Sequence, residues 1–146
     1  KNLKIVGTGS QANKLQKMAK KNIQFLGHVS DQRLRSLYSQ AKALIFPQLE
    51  DFGIVPLEAQ AAGTPVLAYG QGGATETLEE GKTGLFFKNQ TPSAIIKTIS
   101  QFENNTDQFS DKLCQHQAES FNQTRFQKLI KQEVQSLWKN HQQKIT

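Results

Sequence analysis

The segment ALIFPQLEDFGIVPLEAQAAGTPVLAY, residues 43–69, decides the fold of this chain. It opens and closes with short apolar runs, at residues 43–46 and 65–69, that are unbroken, as in strands covered on both faces. Residues 55–62 between them have a helical pattern. Pro56 falls in the first turn, where its missing N–H costs little, and Gly63 follows as a stop signal. The segment therefore predicts a strand–helix–strand unit with parallel strands.

The same alternation extends on both sides of this segment. Further strands are predicted at residues 3–6, 23–26 and 84–87, and further helices at residues 10–20, 31–41 and 74–80. Ser30 is a candidate cap for the helix that follows it. Repeated units of this kind have right-handed crossovers. The sequence therefore predicts an α/β fold, a Rossmann-like doubly wound parallel sheet flanked by helices, which binds its ligand at the carboxyl ends of the strands.

The last third of the chain predicts C-terminal helices. Apolar residues at helical spacing mark segments around residues 95–99, 109–114 and 126–138, and the polar run at residues 104–106 indicates a turn. The apolar positions of the last segment are Phe126, Leu129, Ile130, Val134, Leu137 and Trp138. We expect this amphipathic helix to pack on a core or on another domain rather than to lie on a membrane.

Composition limits the class of protein. The 146 residues suffice for one domain, and the single cysteine, Cys114, is expected to be a buried structural thiol of a protein in a reducing compartment. The net charge of +6 suits an anionic ligand such as a nucleotide diphosphate, or an anionic membrane surface. No apolar stretch approaches the length that spans a bilayer, and no nucleic-acid-binding signature occurs. We expect a cytoplasmic protein, with peripheral contact at the inner membrane face as an open alternative.

Two glutamates with a glycine between them form the candidate site. Glu50 lies in the loop after a predicted strand, and Glu58 lies in the helix that follows. Gly53 lets the backbone pass close to a ligand, and the helix amino terminus offers unpaired N–H groups to phosphate. Carboxylates are good acceptors for the hydroxyls of sugars. The segment therefore predicts a site for a sugar nucleotide.

Six motifs occur in a characteristic order along residues 3–88. They are VGTG at 6–9, FLGHV at 25–29, LYSQA at 37–41, the glutamate segment at 50–66, GGATET at 72–77 and KTGL at 82–85. Together they resemble glycosyltransferase family 4, whose members are retaining enzymes of the GT-B fold. The resemblance implies that this chain is half of a GT-B fold, namely the C-terminal sugar-nucleotide-binding domain.

The resemblance also implies roles for individual residues. Glu58 binds the ribose hydroxyls, and Glu50 lies beside the hexose at the reaction centre, which makes it the candidate catalytic residue. Backbone N–H groups of four residues hold the hexose and the diphosphate: Phe52, Gly53, Ile54 and Val55. Three residues, Gly27, His28 and Val29, frame the base, and Gly7 and Gly9 form the tight turn of the donor site. Glu76 is either a further ligand residue or a carboxylate that favours a helix start.

The implied reaction transfers a hexosyl group from a nucleotide-diphosphate sugar to a glycan or lipid-linked acceptor with retention of configuration. GDP-mannose is the favoured donor, and UDP- and ADP-sugars stay open. The reaction needs no cofactor or metal, because the leaving diphosphate is stabilised by the protein. The chain has no D-x-D pair, and its histidines, His28, His116 and His141, are scattered.

The chain departs from the family pattern at its start. The resemblance implies that the arginine and lysine that grip the diphosphate in the family would precede Lys1, as would the acceptor-binding N-terminal domain with its catalytic histidine. We therefore expect residues 1–146 to be a domain that lacks its first strand–helix unit, with a gap in its sheet and no activity of its own.

Two other functions remain open at this point. The run from Gly7 to Ala12 fits G-x-G-x-x-A, and Asp31 follows about 20 residues on, as in NAD(P)-binding domains of oxidoreductases. That hypothesis leaves Glu50 and Glu58 unexplained. The other alternative is a non-catalytic module that binds a sugar nucleotide. The run Asp51-Phe52-Gly53 matches a kinase motif, but the rest of the kinase signature is absent.

Overall fold

Short strands alternate with helices through the first ninety residues of the computed structural model, which describes residues 1–145. The strands are β1 (Leu3–Val6), β2 (Ile23–Gly27), β3 (Leu44–Phe46), β4 (Val66–Tyr69) and β5 (Gly84–Phe87). The helices are α1 (Ala12–Met18), α2 (Asp31–Ser39), α3 (Ile54–Ala61), α4 (Ala74–Thr77), α5 (Pro92–Asn104), α6 (Asp111–Glu119) and α7 (Gln123–Ile145). A short 3₁₀ turn at Thr106–Gln108 follows the predicted polar turn.

All five strands are parallel to their neighbours, but they form two sheets. One compact unit comprises residues 1–37, in which β1 pairs with β2. The second begins at Tyr38 and contains a sheet in the order β3-β4-β5. The parallel α/β class predicted from the sequence is confirmed. The strand pairing itself gives one parallel sheet in each unit, and the gap in the sheet stays a prediction.

The predicted limits of the first three helices agree with the observed ones to within two residues. The N–H of Arg33 donates to Oγ of Ser30 at 3.3 Å, and Gly63 ends α3 with a positive φ of 85°. The prediction for residues 74–80 is wrong at its end, since α4 stops at Thr77. The reason is local: the hydroxyl of Thr83 accepts the N–H of Glu79 at 3.0 Å and draws the chain into a turn.

The strand β4 lies at the centre of the hydrophobic core of the second unit. Val66 and Ala68 point into a buried cluster with Phe46, whereas Leu67 joins a cluster on the other face with Phe102. Burial on both faces explains why β4 is an unbroken apolar run. In the first unit the expectation that the strands are covered on both faces is wrong, since Leu3 and Val6 are each 38% exposed. The reason is that a two-stranded sheet buries little of its apolar surface.

The C-terminal helices behave differently from one another. The helix α6 packs against α3 and buries Cys114 completely, whereas the apolar side chains of α7 are between 46% and 63% exposed. These side chains are Phe126, Leu129, Ile130, Val134, Leu137 and Trp138. The expectation that α7 packs on a core of this chain is therefore wrong, and packing on another domain stays a prediction. Within residues 1–145 no helix is both long and apolar enough to cross a bilayer.

Cys114 is expected to resist thiol reagents in the folded protein. Burial, and secondarily the charge of Asp111, raises the pKa of its thiol from 9.0 to about 11. Since the thiolate is the reactive form, alkylation at pH 8 should be far slower in buffer than in denaturant. The raised pKa also means that the thiol's contribution to folding is complete below pH 9 and is lost as pH rises towards 11. Equal alkylation rates in buffer and denaturant would contradict this assignment.

Candidate active site

The loop between β3 and α3 forms an open pocket at the carboxyl end of β3. Its volume is about 510 Å³. The lining residues are Leu49, Glu50, Asp51, Phe52, Gly53, Ile54 and Val55. The structure thus brings together five of the residues predicted from the glutamate segment, Glu50 and the four residues 52–55. A position after a parallel strand is where α/β folds bind ligands.

The amino terminus of α3 supplies the hydrogen-bond donors of this pocket. Gly53 is the residue before the helix and has a φ of 82°, which favours glycine, and it offers no side chain to cap the first turn. Pro56, in that turn, has no N–H. The unpaired donors are therefore concentrated at Ile54 and Val55, together with the positive end of the helix dipole. Such an end is suited to bind phosphate.

Two glycines hold the pocket loop in place. The N–H of Gly73 donates to the carbonyl of Glu50 at 2.8 Å. A Cβ on Gly72 would lie 2.5 Å from the carbonyl oxygen of Glu50, and a Cβ on Gly73 would overlap the backbone of Phe52. The loop can adopt this position only because both residues lack a side chain. Sequence reasoning quoted the glycine pair as a motif but gave it no role, although adjacent glycines are a signal for close backbone approach.

Glu58 lies on α3, one turn beyond the pocket, with an exposed side chain. Its Oε2 accepts a hydrogen bond of 3.3 Å from the hydroxyl of Tyr38, at the end of α2. Burial raises the pKa of Tyr38 to about 12, and the charge and hydrogen bond of Glu58 add to the effect. The tyrosine is therefore a protonated donor at neutral pH. Glu58 keeps acceptor capacity for a ligand, since a carboxylate can accept several hydrogen bonds.

Tyr38 is the residue of this site that sequence reasoning missed. It belongs to the LYSQA motif, which was quoted without a role for its tyrosine. Glu76 lies exposed in the first turn of α4, where a carboxylate favours the helix start, and no contact assigns it to the pocket.

The predicted residues of the first unit come together at the ends of β1 and β2. The N–H of Gly7 donates to the carbonyl of Gly27 at 2.8 Å, and both glycines have positive φ, 108° and 63°. The carbonyl of Gly9 accepts from the N–H of Ala12 at 3.0 Å and so begins α1. Gly7 and Gly9 therefore form the turn between β1 and α1, as expected. His28, which is exposed, and Val29 follow in the loop before α2.

Metal-binding side chains do not cluster in the part of the chain that the structure describes. In residues 1–145 no three His, Cys, Asp or Glu residues are close enough to share an ion.

A family of known proteins matches most of this chain. The family model of glycosyl transferases group 1 matches residues 2–122. A D-inositol 3-phosphate glycosyltransferase of Streptomyces coelicolor is 35% identical over 103 residues, which are 68% of this chain and 22% of that protein. The alpha-1,3/1,6-mannosyltransferase alg-2 of Neurospora crassa is 51% identical over 61 residues, 41% of this chain and 13% of that protein. The chain spans about a fifth of the length of the curated relatives it matches.

Solved structures share the fold. Sucrose-phosphate synthase of Thermosynechococcus elongatus superposes with a TM-score of 0.80 at 24% identity, over 95% of this chain and 39% of that one. The Anabaena protein HepE, solved with UDP-glucose, gives a TM-score of 0.71 at 22% identity, over 94% of this chain and 41% of that one. At these identities the likeness shows the fold, that of half of a GT-B structure.

The matched residues 2–122 include the pocket loop with Glu50, Glu58 on the helix that follows, and the glycine pair that holds the loop. The family match does not favour the alternative of an NAD(P)-binding oxidoreductase domain, which the motif with Gly7 and Gly9 had suggested. Since the family model matches residues 2–122 of the 146, the chain belongs to the glycosyl transferases group 1 family.

Proposed function

We propose that this chain forms the donor site of a retaining hexosyltransferase, which transfers a hexosyl group from a nucleotide-diphosphate sugar to a glycan or lipid-linked acceptor. The observation that carries the proposal is the pocket of residues 49–55, where the uncapped start of α3 and the carboxylate of Glu50 adjoin. This pocket combines donors for an anionic diphosphate with an acceptor for sugar hydroxyls. A second carboxylate, Glu58, follows on the same helix.

The pocket and α3 offer a partner for the diphosphate, the hexose and the ribose of a sugar nucleotide. The diphosphate accepts from the N–H groups at Gly53, Ile54 and Val55, and the hexose binds beside Glu50 and Phe52. Glu58 accepts from the ribose hydroxyls. A role for Gly27, His28 and Val29 at the base stays a prediction from the sequence.

The same backbone N–H groups suit the chemistry of hexosyl transfer. The bond between the anomeric carbon and the diphosphate oxygen breaks, and negative charge develops on the leaving diphosphate. The oxygen of the acceptor hydroxyl bonds to that carbon on the same face and gives its proton to the leaving diphosphate. Backbone N–H groups and a helix dipole fixed in advance stabilise such charge. We therefore propose that the reaction requires neither a metal nor another cofactor.

GDP-mannose is the donor we favour. Support comes from residues 59–77, which resemble members that use it, and from the 51% identity to the Neurospora mannosyltransferase over 61 residues. UDP-sugars are the second candidate, because the similarly folded HepE was solved with UDP-glucose.

The acceptor is proposed to bind an N-terminal domain of the longer protein. A cytoplasmic location with peripheral contact at an anionic membrane face suits the net charge of +6. A non-catalytic sugar-nucleotide-binding module is the alternative that this chain's pocket also permits.

The Glu50→Ala variant tests the proposed hexose site. The substitution should weaken binding of the sugar nucleotide about tenfold, since a charged acceptor of hydrogen bonds is lost. Binding of the bare nucleoside diphosphate should change less than twofold, because Glu50 is assigned to the hexose. Calorimetric titration of GDP-mannose and GDP, repeated with UDP-glucose and UDP, measures both.

The neighbouring Asp51→Ala variant is the matched control, since it removes a carboxylate of the same loop that has no assigned role. Equal losses for the sugar nucleotide and the diphosphate in Glu50→Ala would remove Glu50 from the hexose site.

A further inference from the structure

Tyr38 makes the one hydrogen bond described for the carboxylate of Glu58 within residues 1–145. The two residues are 20 positions apart and belong to different helices, α2 and α3. Tyr38 is half-buried, whereas Glu58 is exposed. The pair therefore joins a long, flexible side chain to one that is packed.

The position of Tyr38 is fixed from two sides. Its carbonyl accepts the hydroxyl of Thr64 at 2.6 Å, and Thr64 is buried directly after the glycine that ends α3. Its ring packs against the core cluster that contains Phe46 and Ala59. The phenol hydroxyl cannot move far without repacking this core. The Gly63-Thr64 turn thus ties the end of α2 to the end of α3.

We propose that Tyr38 is a positioning residue, which holds one oxygen of the Glu58 carboxylate so that the other oxygen accepts from the ribose diol of a nucleoside diphosphate. This inference rests on the proposed function, since it assumes that Glu58 binds ribose. A free glutamate samples several rotamers, and fixing one of them costs conformational entropy at the moment of binding. The hydrogen bond from Tyr38 fixes that rotamer before the ligand arrives.

The raised pKa of Tyr38 supports this role. With a pKa of about 12, the phenol stays protonated throughout the neutral range and donates to the carboxylate. The hydrogen bond from Tyr38 also increases selectivity for ribose over dideoxyribose. A carboxylate that is already oriented binds the ribose diol more strongly, whereas a sugar without these hydroxyls gains nothing from the orientation.

The test compares ribose and dideoxyribose ligands in the full chain. Calorimetric titration uses the nucleoside diphosphate that the wild type prefers and its 2′,3′-dideoxy form. Tyr38→Phe keeps the ring and removes only the hydroxyl, so it should weaken the ribonucleotide about five- to tenfold and leave the dideoxynucleotide unchanged. In a Glu58→Ala background the same substitution should have no further effect on the ribonucleotide.

Tyr69→Phe is the matched control, because it removes the other tyrosine hydroxyl of the chain from a ring that packs against Phe87. It should leave the ratio of the two affinities as in the wild type.

Each outcome decides the question. If Tyr38→Phe weakens both ligands equally, or neither, the residue is structural and the inference is overturned while the ribose site stands. If the wild type itself binds the ribonucleotide and the dideoxynucleotide equally, the ribose role of Glu58 fails, and the inference fails with it.

Discussion

Replacing Gly73 with alanine should weaken nucleotide binding by about 100-fold, because a displaced loop loses one or two hydrogen bonds to the charged ligand, each worth about 1.5–3 kcal/mol. Gly73 has helical torsion angles, φ −59° and ψ −22°, so alanine causes no backbone strain there. Its Cβ, however, would overlap the backbone of Phe52. The loop of residues 50–53 must therefore move away from Gly73. The carbonyl of Glu50, which accepts the N–H of Gly73, moves with the loop.

The control for this prediction is Gly81→Ala. Gly81 has a φ of 79° but nothing within 4 Å of a Cβ, so alanine is strained without a collision. It should cost about 1–2 kcal/mol of stability and leave nucleotide affinity unchanged. Thermal unfolding and calorimetric titration separate the two effects. Wild-type nucleotide affinity in a folded Gly73→Ala protein would contradict the role of the glycine pair.

Glu58→Ala should weaken binding of the preferred nucleoside diphosphate by about 1–3 kcal/mol, since a charged hydrogen-bond acceptor for the ribose is lost. The loss should be similar with and without the hexose, because Glu58 is assigned to the ribose end. This pattern differs from the one expected of Glu50→Ala. Calorimetric titration of the diphosphate and the sugar nucleotide measures it.

Glu79→Ala is the matched control for a surface glutamate. Glu79 pairs with Lys82 at 2.8 Å on the surface, and such exposed pairs contribute little. Its removal should leave nucleotide affinity unchanged. Unchanged affinity in Glu58→Ala as well would refute the ribose role of Glu58.

The strands and the pocket loop could be predicted from the sequence because their causes are local. The buried run at β4 is apolar on both faces since the strand is covered on both. Gly63 ends α3 with positive φ because glycine adopts that conformation without strain. The residues 50–55 that line the pocket are consecutive, so they lie close together whatever the fold of the rest of the chain.

The contacts that support the pocket could not be predicted, because they join residues about 20 positions apart. Tyr38 meets Glu58 only when α2 and α3 are folded, and Gly73 meets Phe52 only when the loops after β3 and β4 adjoin. A pattern of apolar spacing contains no information on such pairs. The exposure of α7 likewise depends on what packs against it, not on its amphipathic pattern.

The most direct test of the donor site is calorimetric titration of the full chain with GDP, UDP, ADP and NAD in the absence of added metal. The proposed function predicts that one nucleoside diphosphate binds in preference to the others and that NAD does not bind. Binding of NAD alone would contradict the donor site and favour the dinucleotide-binding alternative.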